Sequence, residues 1–213
     1  MHFLTKSLWF PPVTDASEDG LLAVGGDLSS ERLLLAYQSG IFPWYSTGQP
    51  ILWWSPDPRM VLFPKHLKVS KSFRKAISLE KFRITFNTSF SEVIENCAAI
   101  KREGQAGTWI TSEMEKAYID LHQKGHAVSV EVWQQDELVG GLYGIDLPEK
   151  KVFCGESMFT KVSDASKVGL YYLVQFLKEK NYKLIDCQVY TQHLERLGAE
   201  EISREEFLQY LNC

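Results

Sequence analysis

The sequence predicts a mixed α/β fold, a sheet of mixed strand direction flanked by helices and preceded by a small N-terminal unit. Three runs between residues 127 and 159, AVSVEVW, ELVGGLYGI and KVFCGESMF, have the composition of strands. Turn signals at Gln135 and Asp136 and around Pro148 separate them, so they read as antiparallel hairpins. Helical and strand patterns then alternate from residue 166 to the end. The opening sixty or so residues follow neither pattern and are rich in Pro, Gly and Trp. The expected units are 1–62 and 63–213, and a chain of 213 residues builds a core that needs no staples.

In the N-terminal unit, turns are expected around one helix. Ser29 or Ser30 caps it, residues 31–39 continue it, and Gly40 ends it, because the position just past a last turn favours a residue free to adopt positive φ. Residues 41–59 then set Trp44, Tyr45, Trp53 and Trp54 among four prolines. Rigid aromatics in an irregular segment make either a surface that presses against a partner or a seal between two units. From residue 69 the elements become regular. Ser70 caps a short helix over 72–78; Ser89 with Glu92, and Ser112 with Glu115, form capping boxes for helices over 91–100 and 113–125. After the three strand runs come a helix over 166–180, the strand KLIDCQV over 183–189 and a helical piece over 193–198. A short strand over 199–203 and a terminal helix opened by Ser203 and Glu206 complete the order.

Composition excludes several classes. Hydrophobic residues make up 45% and charged residues 23%, and no apolar run approaches the roughly 18 residues of a membrane span. The first residues, MHFLTKSLWFPP, lack the basic head and apolar stretch of a signal peptide, so a cytoplasmic protein is expected. The net charge of −4 argues against a surface that coats nucleic acid throughout, although not against a local basic patch. Cys97, Cys154, Cys187 and Cys213 show no CxxC spacing and no histidine at ligand spacing, which suggests neither a metal site nor a disulfide framework.

The run 183–189 carries the chemistry-bearing signal. On an alternating strand Ile185, Cys187 and Val189 share one face, and Asp186 and Gln188 the other. Burying a carboxylate beside a carboxamide without partners costs on the order of several kcal/mol, so that face is expected to look into a wet cleft. A Cys187–His193 acyl-transfer pair is disfavoured, since Cys187 has the wrong parity to share a face with Asp186. Upstream, Lys65, Lys68, Lys71, Arg74, Lys75, Lys81 and Arg83, opposed only by Glu80, form a basic run. Such a run is either a solvated face or a phosphate footprint.

The element order, with Val139 and Gly140 opening the second hairpin strand and HLERLGA before the last strand, resembles the GNAT superfamily of N-acyltransferases. Acetyl-CoA users of that superfamily carry a glycine-bearing phosphate loop, whereas residues 160–166, TKVSDAS, hold no glycine, which disfavours a CoA donor. More specific are LLAVGGDLSSERLLLAYQSGIFPWYS, ILWWSPDPRMVLFP, GTWI, FCGESMF and KLIDCQV. In that order and spacing they resemble the leucyl/phenylalanyl-tRNA–protein transferase family over about residues 20–211.

The resemblance implies transfer of Leu or Phe, with Met a further donor to test, from an aminoacyl-tRNA to the N-terminal Arg or Lys of a protein, marking it for degradation. It implies no metal and no cofactor. Asp186 and Gln188 become the catalytic pair, Gln188 accepting a hydrogen from the attacking amine and Asp186 orienting Gln188. Glu156 falls in the substrate pocket, on the strand face of Met158, where a carboxylate would hold a cation or the α-amine and reject an acidic N-terminus. Phe153, Met158, Ile185 and Leu142, with Leu173 and Leu177, become the donor socket. Trp44, Trp109 and Tyr37 become stacking partners for the terminal adenosine, and the basic run a footprint for the acceptor stem. Three rivals remain: an acyl-CoA acyltransferase, a ligase moving amino acids from tRNA to a cell-wall precursor, and an aminoacyl-tRNA binding protein without catalysis. Nothing requires more than a monomer, and a tail beyond Asn212 and Cys213 is expected in many relatives.

Overall fold

The computed structural model describes residues 1–78, 81–100 and 109–212; Glu80, Gly107, Thr108 and Cys213, named above, lie outside them. The N-terminal unit is more than turns around a helix. Strands β1 (His2–Leu4), β2 (Leu21–Gly25), β3 (Phe42–Pro43) and β4 (Leu52–Trp54) form a four-stranded sheet in the order β1-β2-β4-β3, with helix α1 (Ser30–Gln38) between β2 and β3 in sequence. Strands of two to five residues are too short to show a period of two, so their pairing partners define them. Gly40, at φ +75°, occupies the expected position just past α1.

Residues 59–62, expected within the N-terminal unit, form strand β5 (Arg59–Leu62), which hydrogen-bonds in the larger sheet. The change of sheet thus falls between Trp54 and Arg59, ahead of residue 62. Helix α2 (Lys71–Ser78), strand β6 (Arg83–Phe86) and helices α3 (Phe90–Ala99) and α4 (Ser112–Gln123) follow. Next come β7 (Ala127–Gln134), β8 (Glu137–Leu147), β9 (Val152–Thr160), α5 (Ala165–Glu179) and β10 (Leu184–Gln188). The chain closes with α6 (Gln192–Arg196), β11 (Glu200–Ile202) and α7 (Arg204–Leu211). The seven strands run β11-β5-β10-β9-β8-β7-β6. From β6 to β9 the pairs are antiparallel, and β10 lies parallel to β9 because α5 returns the chain to the same end. The mixed sheet flanked by helices is the predicted class; β6 is an addition to it.

Capping follows the sequence at Ser70 and Ser203, is displaced by one residue at α4, and is without a side-chain bond at Ser29 of α1 and Ser89 of α3. Thr111 rather than Ser112 caps α4, its hydroxyl accepting the Met114 N–H at 3.2 Å. Ser203 caps α7 by accepting the Glu206 N–H at 3.1 Å, and Ser70 accepts the Phe73 N–H at 3.2 Å. Ser89 stands at the N-cap of α3 without a side-chain bond to it.

Two apolar clusters cover the faces of the large sheet. Leu142, Phe153 and Ile185 cluster with Leu173 and Leu177 of α5, while Val93, Tyr118 and Tyr143 join Tyr37 and Trp53 of the N-terminal unit in one core. The two units therefore share buried apolar surface, stabilised at about 25 cal/mol per Å², and are not hinged lobes.

Two register shifts prepare the site. Tyr143 pairs with Ser157 and Gly144 with Gly155, which leaves Glu156 as an extra residue in β9. Asp186 pairs with Val61 and Gln188 with Met60, which leaves Cys187 extra in β10. A β-bulge of this kind bends its strand and re-aims the side chains around it. Gly144 is required opposite the first bulge, because a Cβ there would lie 2.2 Å from the Cys154 carbonyl oxygen. The parallel ladder between β9 and β10 runs from Leu184 and Val152 to Asp186 and Cys154. The residues just beyond, 155–158 and 187–189, all line one cavity.

Candidate active site

That cavity encloses about 580 Å³, within the range of small-molecule sites. Leu62, Leu142, Phe153, Met158, Leu170, Leu173 and Ile185 give it an apolar wall, and Phe42, Trp44, Trp109, Tyr143 and Tyr190 add rings. Among the described lining residues Glu156 is the only carboxylate, and Gln188 the only carboxamide.

Asp186 and Gln188 are not arranged as simple alternation predicts. Gln188 has φ +60°, and the Val189 N–H bonds the Cys187 carbonyl at 2.8 Å, closing a three-residue turn about Gln188. A non-glycine residue held in the left-handed region is strained and persists because its surroundings fix it. Asp186 supplies part of that fixing, accepting the Gln188 backbone N–H on Oδ1 at 3.0 Å. The turn sends the Gln188 side chain to the cavity while Asp186 stays 1% exposed, so Asp186 does not look into a wet cleft. The Arg59 guanidinium grips it in a fork, Nε to Oδ1 at 2.8 Å and Nη2 to Oδ2 at 2.7 Å. Arg59 also donates through Nη1 to the Gly40 carbonyl at 3.0 Å and lies between the rings of Phe42 and Phe207, at 4.9 and 4.6 Å. Burial opposes its charge, but the Asp186 carboxylate outweighs burial and holds the guanidinium pKa above its ordinary value.

Glu156 has no such cation of its own. Gln188 Nε2 donates to its Oε1 at 3.3 Å and the Tyr118 hydroxyl to its Oε2 at 3.1 Å, with the Tyr37 hydroxyl bonded to that of Tyr118. Glu156 is half-buried and lines the cavity. Burial pushes the carboxyl up to about 8; the two tyrosines lower it, nearby Asp186 raises it, and Arg59, tied to Asp186, lowers it too little to restore the usual range. The site thus offers a carboxyl that holds its proton near neutral pH, beside a carboxamide that lines the same cavity.

The other expected residues divide. Phe153, Met158, Ile185, Leu142 and Leu173 line the cavity, whereas Leu177 packs behind it in the α5 core. Trp44 and Trp109 line it from two different segments; the Trp44 ring lies 5.8 Å from that of Trp54, whose indole N–H bonds the Trp44 carbonyl at 2.7 Å. Tyr37 is 1% exposed and absent from the lining, so it presents no ring face for stacking and serves instead the hydroxyl network under Glu156. Lys65, Lys68, Lys71, Arg74, Lys75, Lys81 and Arg83 are all exposed, Arg83 lying over the Trp133 ring at 5.1 Å. Cys187 lines the cavity after all, because the bulge reverses its parity, and so does His193. Burial and then the Asp186 charge raise the Cys187 thiol pKa strongly, and the thiol donates to the Ile185 carbonyl at 3.7 Å, so it is held as an unreactive thiol. Sequence reasoning missed Arg59, Tyr118, Leu170 and Tyr190. Arg59 alone had a legible signal, the DPR of a motif already singled out.

The model of a family described as leucyl/phenylalanyl-tRNA protein transferase matches residues 61–212, and the model of that family's N-terminal domain matches residues 26–57. A leucyl/phenylalanyl-tRNA–protein transferase from Flavobacterium johnsoniae is 62% identical over 211 residues, covering 99% of each chain. Another from Christiangramia forsetii is 62% identical over 99% of this chain and 100% of its own. One from Pseudomonas fluorescens is 56% identical over 97% and 91%. Among solved structures, L-PGS from Bacillus licheniformis is similar at a TM-score of 0.42 and 13% identity, over 82% of this chain and 57% of that one. A GCN5-related N-acetyltransferase from Kribbella flavida is similar at 0.40 and 13% identity, over 85% and 63%.

Proposed function

The chain belongs to the leucyl/phenylalanyl-tRNA protein transferase family, and from that premise we propose how its cavity carries out the reaction. The enzyme is an aminoacyltransferase that moves Leu or Phe from an aminoacyl-tRNA to the N-terminal Arg or Lys of a protein, a mark for degradation. The observation that carries the assignment of residues is the contact between Gln188 and Glu156 at the edge of an apolar cavity. An amine-handling pair stands beside a socket for a large apolar side chain.

The aminoacyl ester arrives activated, so the enzyme has to align a neutral amine with the ester carbonyl. The donor's Leu or Phe occupies the wall of Leu142, Phe153, Met158, Leu170, Leu173 and Ile185, where close packing gives about 1–3 kcal/mol of discrimination per methylene. Met, unbranched and adaptable, fits the same wall. Trp44 and Trp109 stack on the terminal adenosine, and the exposed basic run from Lys65 to Arg83 meets acceptor-stem phosphates.

The acceptor's cation rests against Glu156, which ionises in its presence and turns away an acidic N-terminus. Gln188 Oε1 accepts a hydrogen from the α-amine, which titrates near 8 and loses its surplus proton to solvent. The amine nitrogen attacks the ester carbon, the bond from that carbon to the ribose oxygen breaks, and the oxygen departs with a proton from the attacking nitrogen. Asp186 acts as a positioning residue through the Gln188 backbone N–H, and Arg59 holds Asp186. In this reading the enzyme acts as a monomer in the cytoplasm, where charged tRNA is supplied. Among the described residues no helix is long and apolar enough to cross a membrane.

The test is transfer of labelled leucine from leucyl-tRNA to peptides that differ only in a first residue of Arg, Lys, Glu or Asp, with wild type and Gln188→Ala side by side. Label on the Arg and Lys peptides, lost in the variant, is the expected result. Label on the acidic peptides would overturn the role of Glu156, and full activity of Gln188→Ala would overturn that of Gln188.

A further inference from the structure

The rim of the cavity carries an aromatic and cationic cluster that the reaction described above leaves unused. Tyr190 lines the cavity yet is 50% exposed, and its hydroxyl is held at 2.8 Å by Glu195. His193, on the first turn of α6, lines it too. Arg196 stands three residues on along α6, a neighbour on the helix surface. Among the described residues it has no carboxylate within salt-bridge distance. Lys167, in the first turn of α5, is fixed by Asp164 at 2.9 Å. Lys167 and Arg196 both lie close enough to His193 to disfavour its protonated form, adding to burial, which lowers its pKa most.

This cluster is continuous with the basic run. The Lys68 N–H bonds the Leu197 carbonyl at 2.8 Å, directly after α6, and a Cβ on Gly198 would lie 3.3 Å from the Lys68 Cγ. The Phe73 ring of α2 meets the Tyr171 ring of α5 at 6.2 Å. Cations therefore extend from Lys71, Arg74 and Lys75 on α2, past Lys68, to Arg196 and Lys167, which stand close to His193 just outside the lining, with Glu195 beside Tyr190 and Glu200 paired to His66 among them. A path of cations that ends at an exposed ring suits a single nucleic-acid strand, whose phosphates seek the charges and whose bases seek the ring. It does not suit the other substrate, whose Arg or Lys these cations repel.

We propose that Tyr190, His193, Lys167 and Arg196 seat the single-stranded phosphodiester segment just before the terminal adenosine of the donor, so that the rim sorts the two substrates by charge. This rests on the reading of the donor as an aminoacyl-tRNA. Tyr190 stacks on a base, and Lys167 and Arg196 take successive phosphates.

The experiment compares two donors for one Arg peptide: leucyl-tRNA, and leucyl-adenosine, an ester with no phosphate. In Lys167→Gln/Arg196→Gln, kcat/KM for leucyl-tRNA should fall about tenfold or more relative to leucyl-adenosine, and the slope of log affinity against log salt for tRNA should flatten by roughly 0.7 per lost contact. Tyr190→Ala should lower the same ratio by about five- to a hundredfold. Lys167→Arg/Arg196→Lys, which keeps both charges, should restore it. An unchanged ratio would overturn the proposal, whether both donors are used normally or both lose activity together. A raised KM for the peptide alone would instead assign the rim to the acceptor and overturn it as well. Failure of the wild-type enzyme with leucyl-tRNA itself would refute the proposed function, a result separate from the ratio.

Discussion

Two carboxyl groups on adjacent strands of the site, Asp186 buried and Glu156 half-buried, meet opposite fates. Asp186 lies in the fork of Arg59, with both oxygens bonded to the guanidinium and one also to the Gln188 N–H. Glu156, on the neighbouring strand, receives only a carboxamide and a tyrosine hydroxyl, and its pKa rises to about 8. The more deeply buried of the two is the one that keeps a counter-ion, so the difference comes from where the Arg59 guanidinium points. Arg59 cannot serve Glu156 because it already closes a junction between Gly40, Asp186 and the rings of Phe42 and Phe207. A satisfied ion pair makes rigid structure, whereas a carboxyl short of a cation keeps affinity for one brought by a substrate.

The sharpest way to break this comparison is to remove the cation. Arg59→Met should destabilise the protein by about 3–5 kcal/mol in urea denaturation, since Asp186 is left charged and unpaired. Arg59→Met/Asp186→Leu should recover most of that loss. If the single variant cost less than about 1 kcal/mol, the pair would not be the junction described.

Next comes the pH dependence of Glu156. Its folded pKa, about 8, lies above the ordinary 4.5, so the folded state binds the extra proton between those values. Its contribution to stability is therefore full below about 4.5, declines as pH rises, and is lost above 8. Glu156→Gln, neutral throughout, should remove a decline on the order of a few kcal/mol, seen by comparing urea midpoints at pH 5 and pH 8. Parallel pH profiles for variant and wild type would show that Glu156 is not the group responsible.

A smaller free-energy change is expected at Gln188. Gln188→Ala should lower transfer by about a hundredfold while the thermal midpoint moves little. Equal loss of activity and of folded protein would make Gln188 a structural residue instead. Smallest of all is Cys187→Ser, which should leave the rate of transfer nearly unchanged, because a buried thiol with a raised pKa supplies no nucleophile. Trapping of a leucyl thioester at Cys187 would reverse that conclusion.

Much of the fold was legible because long elements carry their own periodicity. The β7–β9 hairpins, α5 and the Ser203 cap came directly from spacing and turn chemistry. The N-terminal sheet did not, since strands of two to five residues are too short to show a period, and β5 was hidden because all four of its residues are buried and do not alternate. In the site, Asp186, Gln188 and Glu156 stood out as polar residues in apolar runs. Their directions were wrong in part: alternation put Asp186 beside Gln188 in a wet face and Cys187 behind, whereas the bulge at Cys187 buried Asp186 and turned Cys187 to the cavity. Tyr37 was assigned to stacking because an aromatic ring in sequence does not disclose that its faces are packed.

The sequence by itself determined the mixed α/β class, the order of the major elements, the family and the chemical types at the site, because each rests on local periodicity or on strings of neighbouring residues. Tertiary structure alone decided that Arg59 neutralises Asp186 and not Glu156, that two bulges open β9 and β10 around a cavity, and that cations from α5 and α6 come close to His193. Those outcomes depend on pairings between residues as much as 127 positions apart, such as Arg59 with Asp186, whose geometry no local pattern encodes.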